Sequence, residues 1–201
     1  MKKGIEILEI LVGLLALIIG IVTLYPLKFS NTQGIGGQIM VYGIILLGVA
    51  LLVVGIFRLA SVFSYENLGL AKKVNVATSV LTIAAAVVIL YFQIVVQGES
   101  WLHLLFGIGL LSYAVGRVTV GALTSEYKFG LRVFIIVIGI IIGVFSSVVI
   151  LFQMVLIHSE GFLKVYLTYS YFTKITFVLI GVDCLASSIF VMFLSRQKQS
   201  P

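Results

Sequence analysis

The sequence predicts an all-α, polytopic membrane protein: six transmembrane helices arranged as three repeated helical hairpins, forming one integral membrane domain over residues 1–201. Three observations predict it. The chain is 61% hydrophobic and only 10% charged, with a mean hydropathy of +1.26. A soluble domain carries about 25% charged residues, so lipid rather than water must be the solvent for this surface. The apolar residues also gather into six runs, each near the roughly 20 residues that a spanning helix needs. Finally, short patterns recur along the chain at a spacing of about 60 residues.

The first run covers residues 5–25 and follows "MKKG". It is long and has no small-residue cleavage site behind it, so it is expected to remain as a helix rather than be removed as a signal. "LYPLKF" marks its interfacial end. The second run, 38–63, follows the turn-rich "YPLKFSNTQGIGGQ". The third, 73–96, follows "SYENLGLAKK", and the fourth, 101–123, follows "QGES". The fifth, 131–157, follows "TSEYKFG", and the sixth, 173–195, follows "HSEGFLKVYLTYSYFTK". None of these breaks is long enough for a folded soluble domain. Backbone groups in hydrocarbon must bond within their own segment, so each run is expected to be an α-helix with unbroken backbone.

The net charge of +6 would suggest nucleic acid in another context. Here the cations are scattered through short gaps, which points to the lipid bilayer as partner and to a topological role for the charge. With six spans both termini share a side. That side holds Lys2, Lys3, Arg58, Lys72, Lys73, Arg117, Lys128, Arg132, Arg196 and Lys198, against Lys28, Lys164 and Lys174 on the other. Cationic loops stay inside, so a multi-pass protein of the cell membrane with both termini cytoplasmic is expected. Tyr25, Tyr91, Trp101, Phe152, Tyr169 and Tyr171 then fall at the outer boundary, where rings with polar tips prefer to lie.

The repeat shows in two places. "IVTLYP", "VVILYFQ" and "VVILFQ" end the first, third and fifth runs, while "GVALLVVGIFR" (48–58) aligns with "GIGLLSYAVGR" (107–117) as G-x-x-L-L-x-x-x-x-x-R. The sixth run keeps "GVDCL" without the arginine. The pieces "LVGLLALIIGIVTLYP" (11–26), "YGIILLGVALLVVGIFRLASVF" (42–63) and "IVIGIIIGVFSSVVILF" (136–152) resemble the HdeD-type acid-resistance membrane proteins. In that family six helices form three repeated hairpins with an aromatic residue or proline at the outer end. The third run departs from the pattern, with "LTIAAAVVIL" placing alanines where glycine is expected. The resemblance covers most of the chain and implies a small envelope protein linked to acid or stress tolerance. It implies no catalytic site.

Small residues mark the helix seams, because in lipid close packing and interhelical hydrogen bonds hold helices together. Gly13 and Gly20 share one face of the first run, and Gly48 and Gly55 one face of the second. Gly139 and Gly143 form a G-x-x-x-G in the fifth, extended by Ser146 and Ser147, and Ala84, Ala85 and Ala86 thin the third. These faces fit packing within the chain, a homo-oligomer, or other membrane proteins.

Asp183 is the sole aspartate, set in the apolar "FVLIGVDCLASSIF". A carboxylate at that depth costs about 2.5–3.5 kcal/mol on insertion scales. It must therefore face protein or a water-filled cavity. Arg117 is its expected partner, with Arg58 the alternative and Ser187 one turn on. The pair reads as a clamp on helix register or as a titratable or ion-binding site. Glu9 and Arg58 lie at similar depth on adjacent runs and can close the first hairpin as an ion pair, or each can extend to the interface. His103 and His158, near Glu99 and Glu160, fall on the outer side and titrate near neutral pH. They are candidate acid sensors or simple interfacial polar residues.

Several chemistries are excluded or unsupported. Aspartyl proteolysis needs two aspartates sharing a proton. The glycines of "QGIGGQ" lack the Lys-Ser/Thr of a phosphate loop. The lone Cys184 allows no intrachain disulfide framework, and two histidines without a spacing motif make a weak metal site. No enzyme and no cofactor is expected. The function classes left open are a stress-associated membrane protein, a small transporter or channel, and a scaffold subunit of a larger membrane complex.

Overall fold

The computed structural model of the protein describes residues 2–24, 35–63, 69–96, 102–124, 129–156 and 173–189. These residues form α1 (Lys2–Leu24), α2 (Ile35–Phe63), α3 (Gly69–Tyr91), α4 (Leu102–Leu123) and α5 (Phe129–Leu156), followed by α6 (173–189). The described residues are all helical apart from Thr124, whose amide donates to the Val120 carbonyl at 3.0 Å and closes the last turn of α4. Each helix sits on one of the expected apolar runs and starts within about four residues of the expected place. Residues 190–195 of the sixth run lie outside the described residues.

One helix differs from expectation. The third run is not a continuous α-helix: after Tyr91 the backbone widens into a π-helical turn, Phe92–Val96. Such a turn carries an extra residue, so it resets which side chains face inward. Gln93 is turned into the protein at 4% exposure, while Ile94 and Val95 stay outside. At its other end α3 opens on Gly69 with φ of +44°, a conformation that side chains beyond glycine adopt at a cost.

Four helical stretches are long and apolar enough to cross a bilayer: Ile44–Val62, Gly69–Val95, Leu104–Leu123 and Phe129–Leu151. The apolar stretch of α1, Ile10–Val22, is shorter among the described residues. The outer surface is apolar, with Leu11, Ile18, Ile56, Val87, Val144 and Leu151 all exposed. The interior holds polar groups, among them Arg58, Ser79, Thr82, Ser146, Asp183 and Ser188. Water would penalise that arrangement, and hydrocarbon favours it.

Close contacts set the neighbours. The space around each glycine shows how tightly the backbones approach. A Cβ at Gly13 would lie 2.9 Å from Cys184 Cβ, at Gly20 2.8 Å from Val178 Cγ2, and at Gly181 2.6 Å from the Leu17 amide nitrogen. These residues run α1 antiparallel to α6 along a glycine seam. Gly48 meets Leu90 and Gly55 meets Ile83, joining α2 to α3. Gly107 meets Ile150, Gly121 meets Ile136, and Gly139 meets Val118, joining α4 to α5. Gly109 lets Leu51 of α2 and Ala85 of α3 approach α4. Both pairs of consecutive helices run antiparallel, and α6 lies between α1 and α4. Its direction matches α4, with Phe177 against Phe106 and Asp183 against Tyr113. The glycine faces expected from the sequence are thus all used between helices of one chain.

Hydroxyls on these seams are satisfied locally. Ser79, Thr82, Ser112, Ser146, Ser147 and Ser188 each donate to the carbonyl four residues earlier, at 2.6–2.8 Å. This keeps small side chains at the interface without leaving a bare polar group.

Candidate functional site: a buried arginine–tyrosine–aspartate cluster

The site forms where α2, α3, α4 and α6 meet. Its centre is Tyr113, one of the largest fully buried side chains. Tyr113 and Arg117 are four residues apart, so the helix period puts both on one face of α4. Asp183 and Ser187 have the same spacing on α6. Because α4 and α6 run parallel at this level, the two pairs stand side by side.

Asp183 has no exposed surface. Its Oδ1 accepts from Arg117 Nη2 at 2.6 Å, and its Oδ2 accepts from the Tyr113 hydroxyl at 2.6 Å. Arg117 Nε lies 2.6 Å from Oδ2, close but not aligned as a hydrogen bond. Arg117 Nη2 also donates to Ser187 Oγ at 2.6 Å, and that hydroxyl lies 3.4 Å from Asp183 Oδ1. Cys184 Sγ is 3.6 Å from the Tyr113 hydroxyl. Both carboxylate oxygens are therefore held by strong charge-assisted contacts, the condition under which a buried ion pair is tolerated. The arginine side chain is 13% exposed and the carboxylate 0%.

Arg58 reaches the same centre from α2. Its Nη1 donates to the Tyr113 carbonyl at 3.1 Å, its Nη2 donates to Asn75 Oδ1 of α3, and its guanidinium carbon stands 4.7 Å from the centroid of the Tyr113 ring. A cation over an aromatic face is attracted by the ring quadrupole. Gly116 makes this approach possible: a side chain there would collide with Arg58 Nη2 and Thr78 Oγ1. The two arginines that the repeat places in register, Arg58 and Arg117, thus converge on one tyrosine by different routes.

The remaining sequence candidates divide. Arg117 and Asp183 are brought into contact. The side chain of Glu9 lies outside the described residues, and the described partners of Arg58 are on α3 and α4. His158, Glu99 and Glu160 lie outside the described residues, and of His103 only the backbone, in the first turn of α4, is described. Among the described residues no group of three or more His, Cys, Asp or Glu is placed to hold a metal ion.

Sequence reasoning alone does not single out two members of the cluster, Tyr113 and Asn75. Signals for both exist. Tyr113 brings a polar tip into an apolar run one turn before Arg117. Asn75, Thr78, Ser79 and Thr82 make a polar stripe at the i, i+3, i+4, i+7 spacing, and that stripe faces α4: Thr82 Oγ1 lies 3.3 Å from the Gly109 carbonyl.

Apolar helices of bilayer-spanning length, polar groups turned inward and a buried ion pair define an all-α protein of the membrane kind. Compared with protein-family models, curated proteins and solved structures, the chain has no match.

Proposed function

We propose that the chain is a multi-pass protein of the cell membrane, crossing six times as three out-and-back hairpins with both termini in the cytoplasm. We further propose that it serves tolerance of acid or related stress as a closed helical body, without catalysing a reaction. The six crossings are supported by the alternating directions of the helices and by the position of α6, which packs on α1 from Gly13 to Gly20. The hairpin repeat is supported by Gly48 and Gly107, which each seat the following odd-numbered helix. The stress role rests on the resemblance of the sequence to HdeD-type proteins.

One observation carries the closed-body reading over a transport path. Asp183, the residue best suited to carry a proton or ion through the bilayer, is fully buried with both oxygens taken by Arg117 and Tyr113. A carboxylate on a conduction route needs an open ligand position. Here it acts as a clamp joining α4 to α6.

The test is genetic. A strain lacking the gene is expected to survive acid shock less well than its parent, and a plasmid copy is expected to restore survival. The Asp183→Asn copy is expected to fail, with less protein in the membrane. Parental survival in the deletion strain would remove the stress role.

A further inference from the structure

A third arginine stands apart from the cluster, at the end of the α4–α5 hairpin. Arg132 lies three residues into α5, which begins at Phe129, so it is about 4.5 Å along the axis from the helix start. Its guanidinium reaches the last turn of α4: Nε donates to the Gly121 carbonyl at 3.1 Å and Nη2 to the Ala122 carbonyl at 2.7 Å. Carbonyls in that turn have no following helical amide to accept from, so the arginine closes the helix end and is itself held in place. One edge of the guanidinium is thereby fixed. Among the described residues nothing accepts from Nη1, and no carboxylate pairs with Arg132. Its partners are neutral carbonyls, and the side chain is only partly covered, with the bond to Ala122 at the surface.

The same helix carries an apolar stripe away from this cation. Val133, Val137, Ile140 and Val144 are all exposed, and their i, i+4, i+7, i+11 spacing puts them on one face. Phe129, one turn before Val133, is also exposed. We infer that this corner of α5 binds an anionic phospholipid, with the lipid phosphate on the open edge of Arg132 and an acyl chain along the stripe. Charge complementarity selects the occupant. An exposed cation without a countercharge, at headgroup depth and continuous with an apolar face, matches a molecule that is anionic at one end and hydrocarbon at the other. A zwitterionic headgroup brings its own cation and offsets the arginine less, and soluble phosphate lacks the chain. The inference rests on the membrane placement proposed above but not on the stress role.

The experiment uses the purified full chain in phosphatidylcholine nanodiscs doped with phosphatidylglycerol or phosphatidylcholine that carries a photoreactive acyl chain. Labelled residues are located by mass spectrometry. The phosphatidylglycerol probe is expected to label the Val133–Val144 face of α5 in excess over the phosphatidylcholine probe. Arg132→Gln is expected to lower that excess about fivefold, the effect of one cation near a charged bilayer surface. Arg132→Lys keeps the cation and is expected to retain most of it. Lys73→Gln, which removes an exposed cation at the start of α3, is expected to leave it unchanged. Equal labelling of α5 by the two probes overturns the inference, as does an Arg132→Gln chain that labels as the wild type. An equal loss in Lys73→Gln also overturns it, because a diffuse basic surface would then account for the preference. So does an excess that appears only in Glu126→Gln, since the chain's own carboxylate would then fill the open edge. Labelling of α5 by neither probe overturns the membrane placement and the inference together, whereas equal labelling by both leaves the placement standing.

Discussion

Asp183 and Arg117 show how one ion pair is made acceptable in an apolar interior. Each partner alone would be an uncompensated charge, and removing one from a buried pair costs about 3–5 kcal/mol. Asp183→Asn is therefore expected to lower the unfolding free energy in detergent by about that amount. The double variant Arg117→Met with Asp183→Leu is expected to recover most of the loss, because two apolar side chains of similar volume replace the pair without leaving a bare charge. Equal stability of Asp183→Asn and wild type in chemical unfolding would refute the clamp. This pair was legible in the sequence because a single carboxylate among apolar residues demands a partner, and few cations lie within reach. Tyr113 and Asn75 were harder to see. A tyrosine in a membrane protein reads first as an interfacial ring, and an asparagine near a helix start reads first as a cap. Only the packing of four helices on one another reveals that Tyr113 offers its hydroxyl to Asp183 and its carbonyl to Arg58.

The elements were legible as apolar runs, and their glycines were legible as seams. What no spacing rule supplies is which helix a given glycine faces. Gly13 and Gly20 share a face by periodicity, but their partner is the last helix rather than the next one. The π-helical turn at Phe92–Val96 was not visible either, since hydropathy does not distinguish an α-turn from one that is a residue wider. The seam supports a sharp contrast between glycines. Gly181→Ala would bring a methyl group to 2.6 Å from the backbone nitrogen and Cβ of Leu17. Neither helix can yield there without moving its backbone, and overpacking of this kind costs about 1–3 kcal/mol. Gly130→Ala meets nothing within 4 Å, and alanine favours helix over glycine by roughly 1 kcal/mol. Unfolding of the two variants side by side is expected to show Gly181→Ala destabilised and Gly130→Ala unchanged or slightly stabilised. Similar losses in both would mean that α1 and α6 do not meet as closely as described.

For the whole molecule, bulk composition was the most informative feature. A chain with 61% hydrophobic residues leaves few options besides a bilayer, and exposed Leu11, Ile56, Val87 and Leu151 around buried Arg58 and Asp183 match that expectation. The proposed topology can be tested with thiol chemistry, because the native Cys184 is buried. In a Cys184→Ala background, a cysteine placed at Ser200 is expected to resist a membrane-impermeant maleimide in intact cells, and one at Asn31 to react. The reverse pattern would invert the topology. The place of α6 also has a consequence for how the protein is made. This helix is the last of the six to leave the ribosome, yet it provides the carboxylate for Arg117 and the wall against which α1 rests. Until it arrives, the earlier five helices hold an orphaned guanidinium beside an unfilled slot. Arrival of α6 and closure of the bundle therefore coincide, and a nascent chain interrupted before α6 is left with a charge that no partner in the bundle offsets.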